Sequence, residues 1–450
     1  MLPEQFKIRM KSILGDGYDA FISALTEERT SALRHNPLKA HEDILKSLST
    51  YKLEKIPHIE HGFRYTGVGI GNTPAHHAGA IYVQDAGAMC AVEALSLFPG
   101  ARVLDVCASP GGKSTQAAAK IGREGLLISN EYVASRAKIL VENFERLGLP
   151  SAMVLNLDTR ELGGMFRGYF DAVICDAPCS GEGMFRKTDE AAAHWSEENI
   201  RMCAERQLEI LANIADTVKD GGELLYSTCT YAPEENEEVV RAFLLSHPDF
   251  FLKPLPERLS AQTAPAIATE GVECMHYARR FYPHISEGEG QFMALFERRN
   301  DGVLPTILYK DASKPLSKEQ KRILDTFLHD TLTNPDAVYA REISGRLVHV
   351  CIDMPIPPKK VFSGGVLLGE IRGTNFFPSH QFFSAFGAQF KRRVCLADGD
   401  ERIGKYIHGE EIDATVDNGW CAVLFEGAVL GGGKASGGKV KNHYPKGLRK

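Results

Sequence analysis

Between about Val83 and Arg299 the chain alternates short, nearly continuous apolar runs with longer stretches whose apolar residues recur at helical spacing. That alternation predicts repeated strand–helix units around a mostly parallel sheet, an α/β fold. The strand-like runs are Arg102 to Cys107, Leu126 to Asn130, Ala152 to Asn156, Phe170 to Asp176, Glu223 to Ser227 and Phe292 to Glu297. They have almost no polar face, which suits strands covered on both sides. Between the fourth and fifth runs Ser196 reads as an N-cap. Ile200, Cys203, Gln207, Leu211, Ile214 and Val218 follow at roughly helical spacing, with Asp220-Gly221-Gly222 as the stop.

The flanks have a different texture. From Leu2 to about Gly71, helical patterning around Ile8 to Leu25 gives way to a mixed basic stretch, Arg29 to Lys39, and then to the loop-like Gly69-Ile70-Gly71-Asn72-Thr73-Pro74. After Arg299, Asp301 to Pro305 and Ser313-Lys314-Pro315 read as a linker. One helical stretch and short strand-like runs follow, and a further break near Gly387 leads into a compact β-rich tail. The expected division is therefore 1–75, 76–300, 301–386 and 387–450, close to the three domains that 450 residues suggest at about 150 residues each.

Composition narrows the class of protein. Hydrophobic residues at 44% and charged residues at 24% are ordinary globular values, so disorder, a collagen repeat and a coiled-coil rod are excluded. The 52 basic and 58 acidic residues give a net charge of -6, so any nucleic-acid site must be local. The N-terminus has no basic region followed by an apolar stretch, and no apolar run reaches the ~18 residues of a membrane span. Ten scattered cysteines without a Cys-x-x-Cys pair argue against both a disulfide framework and a zinc site. The expectation is a cytoplasmic monomer with reduced thiols, no membrane and no metal.

Candidate chemistry clusters where the strands end. The first run leads into Cys107-Ala108-Ser109-Pro110-Gly111-Gly112-Lys113 and a helix-compatible stretch. Such a turn lets a ligand approach the backbone, and helix-terminal amides attract an anionic group. Gly112-Lys113-Ser114 imitates the end of a phosphate-binding loop, but the required first glycine is Cys107 and Pro110 removes an amide. Acids follow three successive strands, at Glu131, Asp158 and Asp176. Such a ring repels a triphosphate and suits a ligand with hydroxyls, an amine and a positive centre, as S-adenosylmethionine has. Each acid taken alone reads equally well as a cap or turn residue.

Two cysteines complete the pattern. Asp176-Ala177-Pro178-Cys179-Ser180-Gly181 follows the fourth run and Ser227-Thr228-Cys229-Thr230 the fifth, so each places a thiol just past a strand end on the same edge. A thiolate suits addition to an electron-poor ring carbon, which points to a pyrimidine, although the residues do not decide which cysteine attacks. Cys107, Cys175 and Cys203 read as structural.

These pieces, with Pro233-Glu234-Glu235-Asn236-Glu237, resemble the NOL1/NOP2/Sun family of RNA cytosine-5 methyltransferases over most of the first 300 residues. The tail from Gly432 to Arg449 is similar to the PUA-like end of that family's bacterial 16S rRNA methyltransferase F branch. The resemblance implies a Rossmann-like class I methyltransferase domain with a small N-terminal α/β module and a C-terminal PUA-like β-rich RNA-binding domain. It further implies that Cys229 adds to C6 of cytosine, that Asp176 bonds the base near N3, and that Cys179 assists loss of the C5 proton. Glu131 would hold the ribose of S-adenosylmethionine, Asp158 the adenine edge, and the backbone of Cys107, Ala108, Ser109, Pro110, Gly111, Gly112 and Lys113 the methionine portion. The expected partner is RNA, 16S rRNA or the small ribosomal subunit; a tRNA substrate, a nucleotide hydrolase and a non-catalytic assembly factor are the alternatives. Three basic clusters are candidates to hold RNA: Arg29 to Lys39, Arg186-Lys187, and the tail with Lys434, Lys439, Lys441, Lys446, Arg449 and Lys450, where Tyr444 and His443 offer stacking surfaces.

Overall fold

The computed structural model describes residues 2–28, 30–187, 189–302, 304–351, 356–358 and 360–449. Its central sheet contains β1 (Arg102–Asp105), β2 (Leu126–Asn130), β3 (Ala152–Leu155), β4 (Phe170–Asp176), β5 (Val218–Thr228) and β6 (Gln291–Arg298). They lie in the order β6-β5-β4-β1-β2-β3. All neighbours run parallel except β5 and β6. Short antiparallel strands extend both edges: Phe250–Lys253 and Arg279–Phe281 on β6, and Val361–Ser363 on β3. The third of these comes from the segment expected to be a separate middle module.

Alternate residues of the strands feed two cores. Leu104, Val173 and Leu224 point into one, and Val103, Ile174 and Leu225 into the other. Burial on both faces is why these runs read as continuously apolar. The helices that cover them include α1 (Gly112–Ile121), α2 (Ala134–Leu147), α3 (Thr159–Met165), α4 (Glu197–Ile214) and α5 (Glu237–Ser246). From β1 the chain steps one way to β2 and β3, then returns on the other side to β4 and β5. That reversal opens a crevice between the carboxyl ends of β1 and β4, the place where open parallel sheets bind ligands.

Five of the six strand-like runs match their strands to within two residues, and the fifth does not. The fourth run spans Phe170–Asp176 as read, and the first strand ends two residues early at Asp105. The long helix, however, stops at Ile214, and Val218 already belongs to β5. Val218 pairs with Phe170 and Glu223 with Ala172, so Asp220-Gly221-Gly222 is an irregularity within a strand, not a helix stop. Gly221 at φ +70° takes up the extra residues.

At the N-terminus the helical pattern is two helices, Glu4–Leu14 and Tyr18–Thr26, interrupted at Gly15-Asp16-Gly17. Phe6, Met10 and Phe21 pack on Phe185 and Tyr231, bracing the loops beyond β4 and β5. A four-stranded antiparallel sheet follows, and its strand Ile81–Val83 lies past the expected boundary at 75. This module shares a core with the C-terminal sheet, where Leu33 and Phe63 meet Tyr406 and Tyr444. The middle segment pairs the helix Lys318–Thr331 with a four-stranded antiparallel sheet. The tail is the expected β-rich unit, with five strands. Among the described residues no helix is long and apolar enough to cross a membrane.

Candidate active site

The loop after β4 and the loop after β5 are stitched together by their own backbone. Ala177 N–H donates to the Ser227 carbonyl at 2.9 Å, and Gly183 N–H to the Cys229 carbonyl at 2.8 Å. A Cβ on Gly183 would come within 2.9 Å of that carbonyl, so only glycine allows the approach. The result brings Cys179 and Cys229 together with their sulfurs 3.1 Å apart, both free thiols and half-buried. The Cys229 N–H also donates to the Cys179 sulfur at 3.3 Å. The hydrogen bond to Cys229, with burial, raises the Cys179 thiol well above the ordinary cysteine range, so it carries its proton at neutral pH.

Behind this pair lies a buried polar network. Glu235 accepts from the Ser180 N–H at 2.9 Å, from the Ser180 hydroxyl, and from Gln207 at 2.8 Å. Glu182 accepts from Thr230 at 3.0 Å, from the Tyr231 N–H at 2.9 Å and from the Trp195 indole at 2.8 Å. Burial raises both carboxyls, and the surrounding donors oppose that shift. Neither acid was assigned a role from sequence, although Glu235 lies in the quoted Pro233-to-Glu237 stretch. Each fixes the loop that carries one of the cysteines.

Asp176 faces the same space from the end of β4. It accepts from Lys113 Nζ and from the Ser227 hydroxyl, both at 2.7 Å, and from Gln291 Nε2 at 3.2 Å. Burial works against the Lys113 charge, yet Asp176, with Asp105 and Cys229, holds the ammonium above the usual lysine range. The sequence suggested only a backbone role for Lys113; its side chain ties the loop after β1 to the acid after β4. Asp105, also unassigned, is buried and accepts from Ser114 at 2.6 Å. Burial, with the nearby Asp176 charge, pushes its carboxyl up to about 7, against the pull of Ser114 and Lys113.

The loop from Cys107 to Lys113 is held by α2. Arg136 donates to the Ser109 carbonyl at 2.9 Å, and Asn143 to the Pro110 carbonyl at 3.0 Å. Gly111 has φ +111°, and a Cβ there would sit 2.9 Å from Leu140, which explains this glycine at the start of α1. Ala108 N–H is already spent on the Asn130 carbonyl. Burial raises the Cys107 thiol, so its side chain is inert.

Glu131 is buried one residue past β2, with Oε1 accepting from the Val133 N–H at 2.9 Å and Oε2 3.8 Å from Arg136. Asp158 is the N-cap of α3, accepting from the Arg160 N–H at 3.0 Å. Arg160 also grips its carboxylate through the guanidinium, which holds the acid down at about 2. In this structure both acids thus make the capping and turn contacts that were their alternative reading.

The basic clusters need correction. Arg29 and Lys450 lie outside the described residues. Arg34 is buried and donates to Thr115 at 2.8 Å, and Lys39 donates to Ser384 across a module boundary. Arg186 is paired with Glu289 at 2.7 Å and donates to the Ala24 carbonyl. These cations are internal ties, unavailable to a phosphate. Tyr444 is also buried, bonded to His77 at 3.0 Å, and offers no stacking face. The aromatic surface that reaches solvent is instead the partly buried Trp420, with the His443 ring 4.7 Å away and Lys434 Nζ 5.9 Å above the indole. Trp420, Lys434 and Lys441 stand opposite one another on three adjacent strands.

Comparison with known proteins agrees with this layout. A family model described as 16S rRNA methyltransferase RsmB/F matches residues 92–297. The N-terminal domain of 16S rRNA methyltransferase RsmF matches 2–86, and the methyltransferase RsmF PUA domain matches 393–450. The chain is 30% identical to ribosomal RNA small subunit methyltransferase F of Vibrio vulnificus, over 99% of this chain and 97% of that one. It is 35% identical to the protein of the same name from Pectobacterium atrosepticum, over 70% and 67% of the two chains. A crystal structure of a methyltransferase homolog protein from Pyrococcus horikoshii superposes with a TM-score of 0.58 at 29% identity, covering 66% of this chain and 95% of that one. Sheet order, paired thiols and full-length similarity converge on one conclusion: the chain belongs to the RsmB/F family of rRNA methyltransferases.

Proposed function

We propose that this enzyme methylates C5 of cytosine in 16S rRNA through a transient covalent bond between Cys229 and C6 of the base. The observation that carries the reading is the 3.1 Å approach of two free sulfurs beside the Asp176–Lys113 pair, at the mouth of the β1/β4 crevice. Cytosine C5 is a poor nucleophile until C6 is saturated, so a thiolate at C6 is the chemical device the reaction needs. As the sulfur–C6 bond forms, the ring's electron pair shifts toward N3, where Asp176 holds the base, and C5 becomes nucleophilic. S-adenosylmethionine, the family's methyl donor, supplies the methyl group that C5 takes. Loss of the C5 proton then drives out the Cys229 sulfur and restores the aromatic ring. Cys179, a thiol against Cys229, gives its proton to the departing sulfur and takes up the C5 proton in exchange, which supports the reading.

The chain has a fitting cradle for the donor. The glycine turn at Gly111 and Gly112 allows close backbone approach, and buried Glu131 and half-exposed Asp158 follow the next two strands. The loop from Cys107 to Lys113 holds the methionine portion, Glu131 the ribose and Asp158 the adenine edge. The target base must unstack to enter, at a cost of a few kcal/mol, and contacts at Trp420, His443 and Lys434 offset it.

Bisulfite sequencing of 16S rRNA and tRNA from a strain lacking the protein tests the reading. The expected result is loss of one or more 5-methylcytosines in 16S rRNA, restored by the wild-type chain and not by Cys229→Ala. Full methylation in the deletion strain, or a loss confined to tRNA, overturns it.

A further inference from the structure

We propose that His35, Glu42 and His61 form a site for a divalent transition-metal ion of the zinc class, which pins three segments of the N-terminal module together. One ligand atom from each residue lies within 4.8 Å of the others. The three come from separate elements: His35 ends the strand Ser31–His35, Glu42 opens the 3-10 segment Glu42–Tyr51, and His61 sits in the turn before the strand Gly62–Tyr65. The site shares no residue with the cysteine centre, and it does not depend on the reading of the methyl transfer above.

The central observation is His35. Only 2% of it is exposed, and neither ring nitrogen makes a hydrogen bond of ordinary geometry, the Ala40 carbonyl coming only near one of them. Leaving such groups unmade costs about 1–3 kcal/mol, so a buried imidazole without partners calls for a ligand. The Ala40 carbonyl lies near enough to favour a proton on one nitrogen. An imidazole that turns one N–H toward a backbone carbonyl and the other nitrogen toward a cation is the usual arrangement of a metal-bound histidine.

His61 supplies the second imidazole. Its ring centroid is 5.6 Å from that of His35, and the His35 N–H donates to the His61 carbonyl at 2.9 Å, locking the two backbones in register. His61 has φ +59°, a left-handed conformation uncommon for a residue with a side chain. Glu42 Oε2 is 4.0 Å from His61 Nδ1, and its side chain is 44% exposed, which gives an ion an entry path. Glu60 Oε1 lies 3.8 Å from the other His61 nitrogen, Nε2, while its Oε2 is engaged with Lys120 at 2.7 Å.

Two imidazoles and a carboxylate match zinc or its neighbours, whereas calcium and magnesium prefer all-oxygen shells. Tetrahedral bonds of about 2.0–2.2 Å place ligand atoms roughly 3.3 Å apart, so the cluster closes around an ion when the exposed Glu42 side chain swings inward. A water completes the shell. A search for Cys-x-x-Cys would not find such a set, because His35 and His61 are brought together by backbone pairing between distant segments.

The test uses the full-length protein, stripped with a chelator and titrated with Zn2+, then with Co2+ as a spectroscopic probe. Because His35→Ala could fail to fold, the comparison variants are Glu42→Ala, exposed, and His61→Asn, which tolerates the left-handed backbone. The expected result is one tightly held equivalent in the wild type, visible by elemental analysis and as Co2+ absorption bands, with a raised melting temperature. Each variant should bind at least about tenfold more weakly and lose the thermal shift. Equal metal content and equal thermal shift in the wild type and both variants would overturn the proposal, since any binding would then belong to other groups such as the active-site thiols.

Discussion

The carboxyl edge of the central sheet and the basic clusters present the same kind of sequence signal with opposite outcomes. At the edge, residues flagged by position do converge: Asp176, Cys179 and Cys229 meet within one small region, joined by Lys113. In the clusters, residues flagged by charge scatter: Arg34, Lys39 and Arg186 turn inward as structural ties, while Lys434 remains outside beside Trp420. The difference lies in what fixes each residue. Strand ends of a parallel sheet are placed by backbone pairing, which local pattern reveals. Whether a cation reaches solvent depends on what packs over it from distant parts of the chain. Ser384, which receives Lys39, is 345 residues away.

Substitutions can break this comparison, beginning with the largest effect. Cys229→Ala should lower methyl transfer by at least about 10³-fold in a tritium-incorporation assay, as expected when a covalent nucleophile is removed. Lys113→Met should lower the same rate about 10²-fold while leaving the fold intact, because Asp176 loses its charged partner but keeps Ser227 and Gln291. Arg186→Ala should cost about 3 kcal/mol of stability by urea unfolding, since buried Glu289 loses the Arg186 guanidinium, with unchanged RNA affinity for the folded fraction. Trp420→Ala should weaken RNA binding by about 1–3 kcal/mol in a filter assay at fixed salt, measured on the folded fraction because the ring also packs near Phe377 and Phe383. A loss of RNA affinity in Arg186→Ala would erase the distinction between the two kinds of cation.

A subtler effect concerns Asp105. Its folded pKa of about 7 lies above the ordinary carboxyl value, so the folded state keeps a proton that the unfolded chain releases. Stability is full below about pH 4 and is lost as pH rises through 7. Asp105→Asn removes that dependence. Relative to the wild type, the variant should gain up to about 3 kcal/mol between pH 5 and pH 7.5, read from paired denaturation curves.

Much of the fold was legible because buried parallel strands announce themselves as apolar runs bounded by turns. The misread helix end shows the limit. Val218 continues the helical spacing of α4, yet its carbonyl and amide belong to β5, and only the pairing with Phe170 reveals it. In the site, the motif cysteines could be placed because each follows a strand by a fixed few residues. Glu182 and Glu235 could not, since their role is to accept hydrogen bonds from both loops once those loops are folded together. Tyr444 was misjudged for a related reason: its partner His77 comes from the opposite end of the chain.

The most direct trial of the covalent account is a denaturing-gel assay for protein–RNA conjugates, using 16S rRNA, S-adenosylmethionine and the two single cysteine variants. Cys179→Ala should accumulate a conjugate that survives denaturation, because attack proceeds and release fails, while Cys229→Ala should form none. Conjugates from Cys229→Ala and none from Cys179→Ala would exchange the two roles, and none from either would contradict a cysteine adduct as the path of this reaction.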